Sequence, residues 1–216
     1  MKKMMMIAVM AVACLTASAQ NEVGQLTLQP KIGMNITNIS GAEIETGANS
    51  TENANFMIDF AVGVEAEYGL TEKFSLAAGL LYSRQGCDYG ELKSTDGYNT
   101  IGWDKNQDKL GYLNIPIVAN YYLAKGFAIK AGIQPGFLLS AKRKIDGIGD
   151  TPSEDIDYKD ACNSFDLSIP LGLSYETDNV VIDGRYNLGV TKINKDGDDS
   201  MKNSVIQFTI GYKFAL

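Results

Sequence analysis

The feature that most constrains this chain is an alternation of apolar and polar residues that runs on for longer than ordinary strands do. The segment LTLQPKIGMNIT (26–37) places Leu26, Leu28, Pro30, Ile32, Met34 and Ile36 on one side. Thr27, Gln29, Lys31, Gly33, Asn35 and Thr37 fall on the other. Period 2 is the mark of a strand, because successive side chains leave opposite faces of the backbone. The alternation returns over 56–70, 74–85, 110–123, 127–141, 164–176, 180–191 and 204–214, which gives eight candidate strands. Globular strands run about 5–6 residues, whereas a tilted strand that crosses a bilayer needs about 9–11. These stretches have the second length.

The connections alternate too. Three are short (71–73, 124–126 and 177–179) and four are long (roughly 39–55, 86–109, 142–163 and 192–203). Short turns at one end and long loops at the other are the pattern of bacterial outer-membrane barrels. The expected fold is therefore all-β: an eight-stranded antiparallel up-and-down transmembrane β-barrel, with a periplasmic N-terminus and extracellular long loops. Lipid offers no partner to backbone N–H and C=O groups, so the first and last strands must pair and close the sheet. Aromatics near the short turns (Tyr68, Phe74, Tyr121, Tyr122, Phe127, Tyr175, Tyr212, Phe214) predict one interfacial girdle. Phe56, Tyr82, Tyr112, Phe137, Phe165 and Tyr186 predict the opposite one. Pro30, Pro116, Pro135 and Pro170 each remove a ladder donor inside an expected strand, so bulges or bends are predicted there.

The first residues set the compartment. Lys2 and Lys3 precede an apolar run, Met4 to Leu15, and Ala17-Ser18-Ala19 is a small-x-small cleavage motif. Residues 1–19 read as a secretory signal peptide and 20–216 as the barrel domain. A lipoprotein signal centred on Cys14 is the alternative, and Ala11-Val12-Ala13 matches it poorly. The formal net charge is -7. Cleavage after residue 19 removes two more positive charges, and such an acidic surface disfavours nucleic acid as a partner.

Several segments resemble the outer-membrane β-barrel domain of Bacteroidota, often described as PorT-like or porin-family. They are KIGMNITNISG (31–41), LLYSRQG (80–86), YLNIPIVANYYL (112–123), IQPGFLLSAK (133–142), DLSIPLGLSYE (166–176), YNLGVT (186–191) and IQFTIGYKF (206–214). The resemblance covers essentially the whole chain after the signal segment. It implies a small barrel of OmpA/OmpX-like architecture in the outer membrane of a Gram-negative bacterium. It also implies that the barrel-assembly machinery acts on it and that an extracellular or secretion-system protein is a candidate partner.

The chemistry-bearing residues are few. The chain has no histidine, which removes His-dependent dyads and triads and the commonest metal ligand. No cofactor is expected and no enzymatic activity is assigned. Lys31, Asp59, Glu65, Glu67, Lys130, Asp166, Asp183, Arg185 and Lys213 all fall on the polar side of their strands. They read either as a salt-bridged plug or as an ion path. Eight strands enclose a space that side chains can fill, which favours the plug. Glu67 and Lys213 are one candidate pair across the closure. Cys87 and Cys162 fall in long loops, where a disulfide and two free thiols both remain open. Tyr89, Tyr98 and Trp103 read either as surface contact residues or as local loop packing. Asp196, Asp198 and Asp199 invite a calcium reading, but the closing glutamate of such a loop is absent, so they read as a turn. The functional expectation is a non-enzymatic barrel for structural, adhesive or interaction roles. The rivals are a narrow channel for ions or small solutes and a soluble lipocalin-like carrier with its apolar faces turned inward.

Overall fold

The computed structural model describes residues 23–47, 50–96, 99–149, 151–195 and 200–216. Residues 1–22, including the signal segment and Cys14, lie outside them, as do Tyr98, Asp196, Asp198 and Asp199. The strands are β1 (Leu26–Ser40), β2 (Glu43–Gly47), β3 (Ser50–Asn53), β4 (Met57–Thr71), β5 (Phe74–Asp88), β6 (Leu92–Asp96) and β7 (Asn99–Asn114). They continue with β8 (Ile117–Ala124), β9 (Phe127–Gly149), β10 (Glu154–Asp157), β11 (Phe165–Thr177), β12 (Val180–Gly189), β13 (Lys202–Tyr212) and β14 (Phe214–Ala215).

The antiparallel ladder closes on itself. β1 pairs with β4, β4 with β5, β5 with β7 and β8, both of these with β9, and the ring continues through β11, β12 and β13. β13 then returns to β1, from Lys31↔Gly211 to Ser40↔Lys202. β7 with β8 count as one staved strand and β13 with β14 as another, so the described residues form a ring of eight. No edge is left along the ring, as a bilayer requires.

The faces sort as the alternation predicts. The polar positions Gln29, Lys31, Asn35 and Thr37 of β1 are buried, while Leu28, Ile32 and Met34 are exposed. Leu171, Leu173, Ile182, Ile210 and Phe208 continue an outward apolar belt around the ring. This is the reverse of a soluble carrier, whose apolar faces would line the interior, and the lipocalin-like reading is set aside on that ground.

Turn chemistry fixes the short end. Asp178 and Asn179 both have positive φ (47° and 68°), which suits the tight hairpin between β11 and β12. Gly126 has φ 72°, and a Cβ there would meet the Glu176 carbonyl oxygen at 2.2 Å. The prolines interrupt the ladder without shifting its register. Pro116 and Pro135 flank the β7/β8 break, where the pairing resumes in step from Asn114↔Gly136 to Ile117↔Ile133. Pro30 faces the β13/β14 break, and Pro170 lies in the gap between Ser168↔Gln134 and Leu171↔Ala131. The register shifts fall elsewhere, as at Gly111/Tyr112 and Trp103/Lys105. The expected bends are thus missing donors, not inserted residues.

Three of the long connections differ from the expected loops: 39–55 carries the β2–β3 hairpin, and the other two build more. β5 runs on to Asp88, and β6, β7, β9 and β10 build a sheet above the apolar belt, with β7 paired to β9 as far as Ile101↔Gly149. Polar sequence in 86–109 and 142–163 still forms strands because each backbone finds a partner across the hairpin.

Candidate functional site

The lumen is layered. Nearest the short turns, Lys213 Nζ lies 3.0 Å from Glu67 Oε2 and 2.5 Å from Glu176 Oε2. The Tyr122 hydroxyl donates to Glu67 Oε1 at 2.6 Å, and the Ser75 hydroxyl donates to the same oxygen. Asn120 donates to Ser75 at 3.1 Å.

Above this sits a second cluster drawn from opposite walls: Lys31 on β1, Glu65 on β4, Lys130 on β9, and Asp183 and Arg185 on β12. Lys31 Nζ is 3.0 Å from Glu65 Oε2. Arg185 Nη2 donates to Glu65 Oε1 and Oε2 at 3.0 and 2.9 Å. It also reaches Asp183 Oδ2 at 2.9 Å, while Nε reaches Oδ1 at 2.7 Å. Lys130 Nζ is 2.6 Å from Asp183 Oδ2 and 3.8 Å from Glu65 Oε1. The second cluster has one more cation than anions, and the first one more anion than cations, so together they balance. Burying charge is costly unless it is paired and hydrogen-bonded, and here the buried charges are paired across the bore.

A third layer is made of neutral amides and hydroxyls. Asn35 donates to Ser83 Oγ at 2.9 Å and accepts from Gln207 Nε2 at 2.9 Å. Gln134 donates to Ser168 Oγ at 3.2 Å. Toward the long loops the inward face turns apolar: Ile39, Cys87, Leu110, Tyr112, Leu138, Ala141, Cys162 and Ile193 form one cluster that caps the mouth. Over the cap, Arg143 grips Asp108 with Nε–Oδ1 and Nη2–Oδ2 contacts of 2.8 Å each. The Tyr89 hydroxyl donates to Asp108 at 2.9 Å, and the guanidinium lies 5.0 Å from the Tyr89 ring and 5.9 Å from that of Tyr158. The bond to Asp108 holds the guanidinium above its ordinary range. Burial pushes the phenols of Tyr89 and Tyr158 up, and the Cys87 thiol up to about 12.

Of the residues singled out from sequence, Lys31, Glu65, Lys130, Asp183 and Arg185 come together, and Glu67 meets Lys213. Asp59 stands apart. It lies beyond the last β4–β5 pair, Ala61↔Ser83, and is within 3.4 Å of the half-exposed Arg84. Asp166 also stands apart, accepting from Thr191 at 2.9 Å. Cys87 and Cys162 are buried in the same cap and are unlinked thiols. Tyr89 is engaged internally, and Trp103 lies in β7, half-buried.

Tyr112 and Tyr122 correct the girdles: both point into the barrel. Their parity, shared with Asn114 and Asn120, is the signal that places them there. Asp108, Arg143 and Tyr158 escape a sequence reading because their segments look like loops. Among the described residues, no group of three or more His, Cys, Asp or Glu is placed to hold a metal ion.

A family model described as outer membrane protein beta-barrel domain matches residues 18–195. A comparison with curated proteins finds no match. Among solved structures, the chain is similar to Ail, the attachment invasion locus protein of Yersinia pestis. The identity is 14%, covering 89% of this chain and 99% of that one, with a TM-score of 0.48. It is similar to Neisserial surface protein A at 14% identity, with coverage of 88% and 97% and a TM-score of 0.47. The figures for OprG from Pseudomonas aeruginosa are 13%, 92% and 100%, and 0.44.

Proposed function

The chain belongs to the outer-membrane protein β-barrel domain family, and from that premise we propose that it is a non-enzymatic barrel with a closed bore, whose role is to hold a strand-built extension outside the outer membrane for structural or adhesive contact. The observation that carries this reading is the Lys31–Glu65–Lys130–Asp183–Arg185 cluster. Its members reach in from β1, β4, β9 and β12 and meet at hydrogen-bond distances across the bore, which supports a closed one. The apolar cap above adds a dry barrier that a hydrated ion cannot cross cheaply.

On this reading residues 1–19 are removed as the signal peptide and the barrel-assembly machinery inserts the strands. The short turns face the periplasm, and the acidic long-loop end meets an extracellular or secretion-system protein. The segments 31–41 and 112–123 support placement in the PorT-like branch of Bacteroidota.

Planar-bilayer recording of the purified, refolded protein tests the closed bore. The expected result is conductance no higher than that of the bare membrane. Discrete, salt-dependent current steps would replace this reading with the narrow-channel one.

A further inference from the structure

The outward faces of β1 and β13 change character together. Ile36 pairs with Ile206, the last apolar pair toward the long connections. The next outward pairs are Asn38 with Ser204 and Ser40 with Lys202. On β12 the change has not yet come, for Leu188, the other partner of Ser204, is apolar and exposed. A cleft of about 430 Å³ opens at this step. Asn38, Ser40, Asn55 and Ser204 supply amides and hydroxyls to its lining, and the ring of Phe56, 62% exposed, stands among them. No lining residue is charged. The Asn38 amide is already engaged, donating to the Ala54 carbonyl at 2.9 Å and accepting from the Ile39 N–H at 2.7 Å. The side chains of Ser40, Asn55 and Ser204 are the groups left to meet a guest.

Below the cleft the apolar belt is hollowed. Leu173, Gly184 and Phe208 share one rung across β11, β12 and β13, and Gly184 has no side chain to fill its middle. The result is a groove of about 600 Å³ walled by Leu173, Ile182, Tyr186, Ile206 and Phe208. Phe208 and Ser204 are separated by roughly 13 Å of extended strand. The two hollows adjoin. Ile206 lines the groove and stands one outward step from Ser204, which lines the cleft. The Tyr186 hydroxyl, from the groove wall, lies 3.0 Å from Ser204 Oγ.

We infer that this wall seats one glycolipid of the outer leaflet, with an acyl chain in the groove at Gly184 and a neutral sugar in the cleft at Ser204. The inference rests on the barrel reading above, with the long connections outside the membrane. Polarity runs in one order along β13, from an apolar groove within the belt to a polar cleft at its outer edge, and an amphiphile has the same order. Sugar hydroxyls both donate and accept, as the serine hydroxyls and the Asn55 amide do. The C–H face of a pyranose suits the Phe56 ring. A phosphate head would call for a lysine or arginine in the lining, and the cleft has neither.

Native mass spectrometry of the mature protein tests this. The protein is folded in detergent micelles with equal amounts of a glucosyl diacylglycerol and a phosphatidylcholine of the same chains. A heat-shifted gel band reports the folded barrel in each sample. The expected result is one retained glucosyl lipid per barrel, favoured about tenfold over phosphatidylcholine, as one to two net hydrogen bonds give. Gly184→Leu fills the groove, where a Cβ meets only the Phe208 ring, at 3.4 Å, and lowers retention of both lipids. Ser40→Ala combined with Ser204→Ala keeps retention but makes it even-handed. The inference is overturned if folded wild-type protein keeps the two lipids equally, if Gly184→Leu retains the glucosyl lipid as wild type does, or if the double variant keeps the preference. A lipid-free dimer that Gly184→Leu dissociates also overturns it, since a second copy of the chain then covers the groove. Wild-type protein without a heat-shifted band in either lipid contradicts the barrel reading itself, and the inference falls with it.

Discussion

The central ion cluster makes an asymmetric prediction. Arg185 offers four charge-assisted hydrogen bonds, two to Glu65 and two to Asp183, at 2.7–3.0 Å. Arg185→Met removes all four but leaves Lys31 and Lys130 facing Glu65 and Asp183, two against two within this cluster, with one excess anion only in the layer below. Glu65→Gln disturbs fewer hydrogen bonds but leaves three cations around Asp183 alone. Breaking a buried ion pair costs about 3–5 kcal/mol, most of it from the charge left behind. Residual charge imbalance therefore outweighs the number of hydrogen bonds broken. Arg185→Met should cost about 3 kcal/mol and Glu65→Gln about 5 kcal/mol, the two ends of that range. Urea unfolding in lipid vesicles, followed by the fluorescence of Trp103, the sole tryptophan, measures both. The reasoning fails if Arg185→Met costs more than Glu65→Gln, or if either variant lies within about 1 kcal/mol of wild type.

Other consequences concern the belt, the extension and the thiols. Leu171→Arg or Ile210→Arg, on the outward belt, should cost about 2–4 kcal/mol in the same unfolding assay, and Tyr212→Arg, nearer the short turns, about 0–1. Asp108→Ala leaves Arg143 and the Tyr89 hydroxyl without their shared acceptor, so it should open the β6–β7–β9–β10 sheet to protease while the barrel keeps its heat-shifted gel band. Arg143→Ala, at a half-exposed site, should do so less. Burial holds the Cys87 thiol protonated up to about 12, against an ordinary value of 9.0, and raises that of Cys162. A group whose folded pKa is raised stabilises below its unfolded pKa, so stability should fall as pH climbs from about 9 toward 12. Ellman's reagent should find both thiols silent in the folded protein and both reactive after unfolding. Finding neither after unfolding would mean a disulfide.

Strand existence was legible because period 2 over a dozen residues has no helical equivalent, and hairpin order followed from three short turns. The Glu67–Lys213 pair could be named as one possibility across the closure but not assigned from sequence, and it stands at 3.0 Å. The five-residue cluster could not be. Arg185 and Glu65 lie 120 positions apart, and which inward residues meet across a bore depends on the stagger of the strands, which alternation does not encode. Tyr112 and Tyr122 are assigned to the wrong face when aromatic type is allowed to outweigh parity. Their neighbours Asn114 and Asn120 carry the better signal. Asp59 has the right parity and still pairs with β1, but it sits past the end of the β4–β5 ladder, where Arg84 competes for it. The extension above the belt is hidden because polar strands paired only to each other lack the apolar face that a sequence reading looks for.

The barrel depends on the sorting of faces, and site-directed spin labelling reads that sorting directly. Single cysteines at 206 to 212 of β13, in a background with Cys87 and Cys162 replaced by alanine, carry a nitroxide in protein reconstituted into vesicles. Labels at 206, 208, 210 and 212 should be accessible to oxygen and shielded from a water-soluble nickel reagent, as lipid-facing sites are. Labels at 207, 209 and 211 should be shielded from both. Nickel accessibility at 207, 209 and 211 would mean an open aqueous bore, and a reversed alternation would mean that the apolar faces look inward.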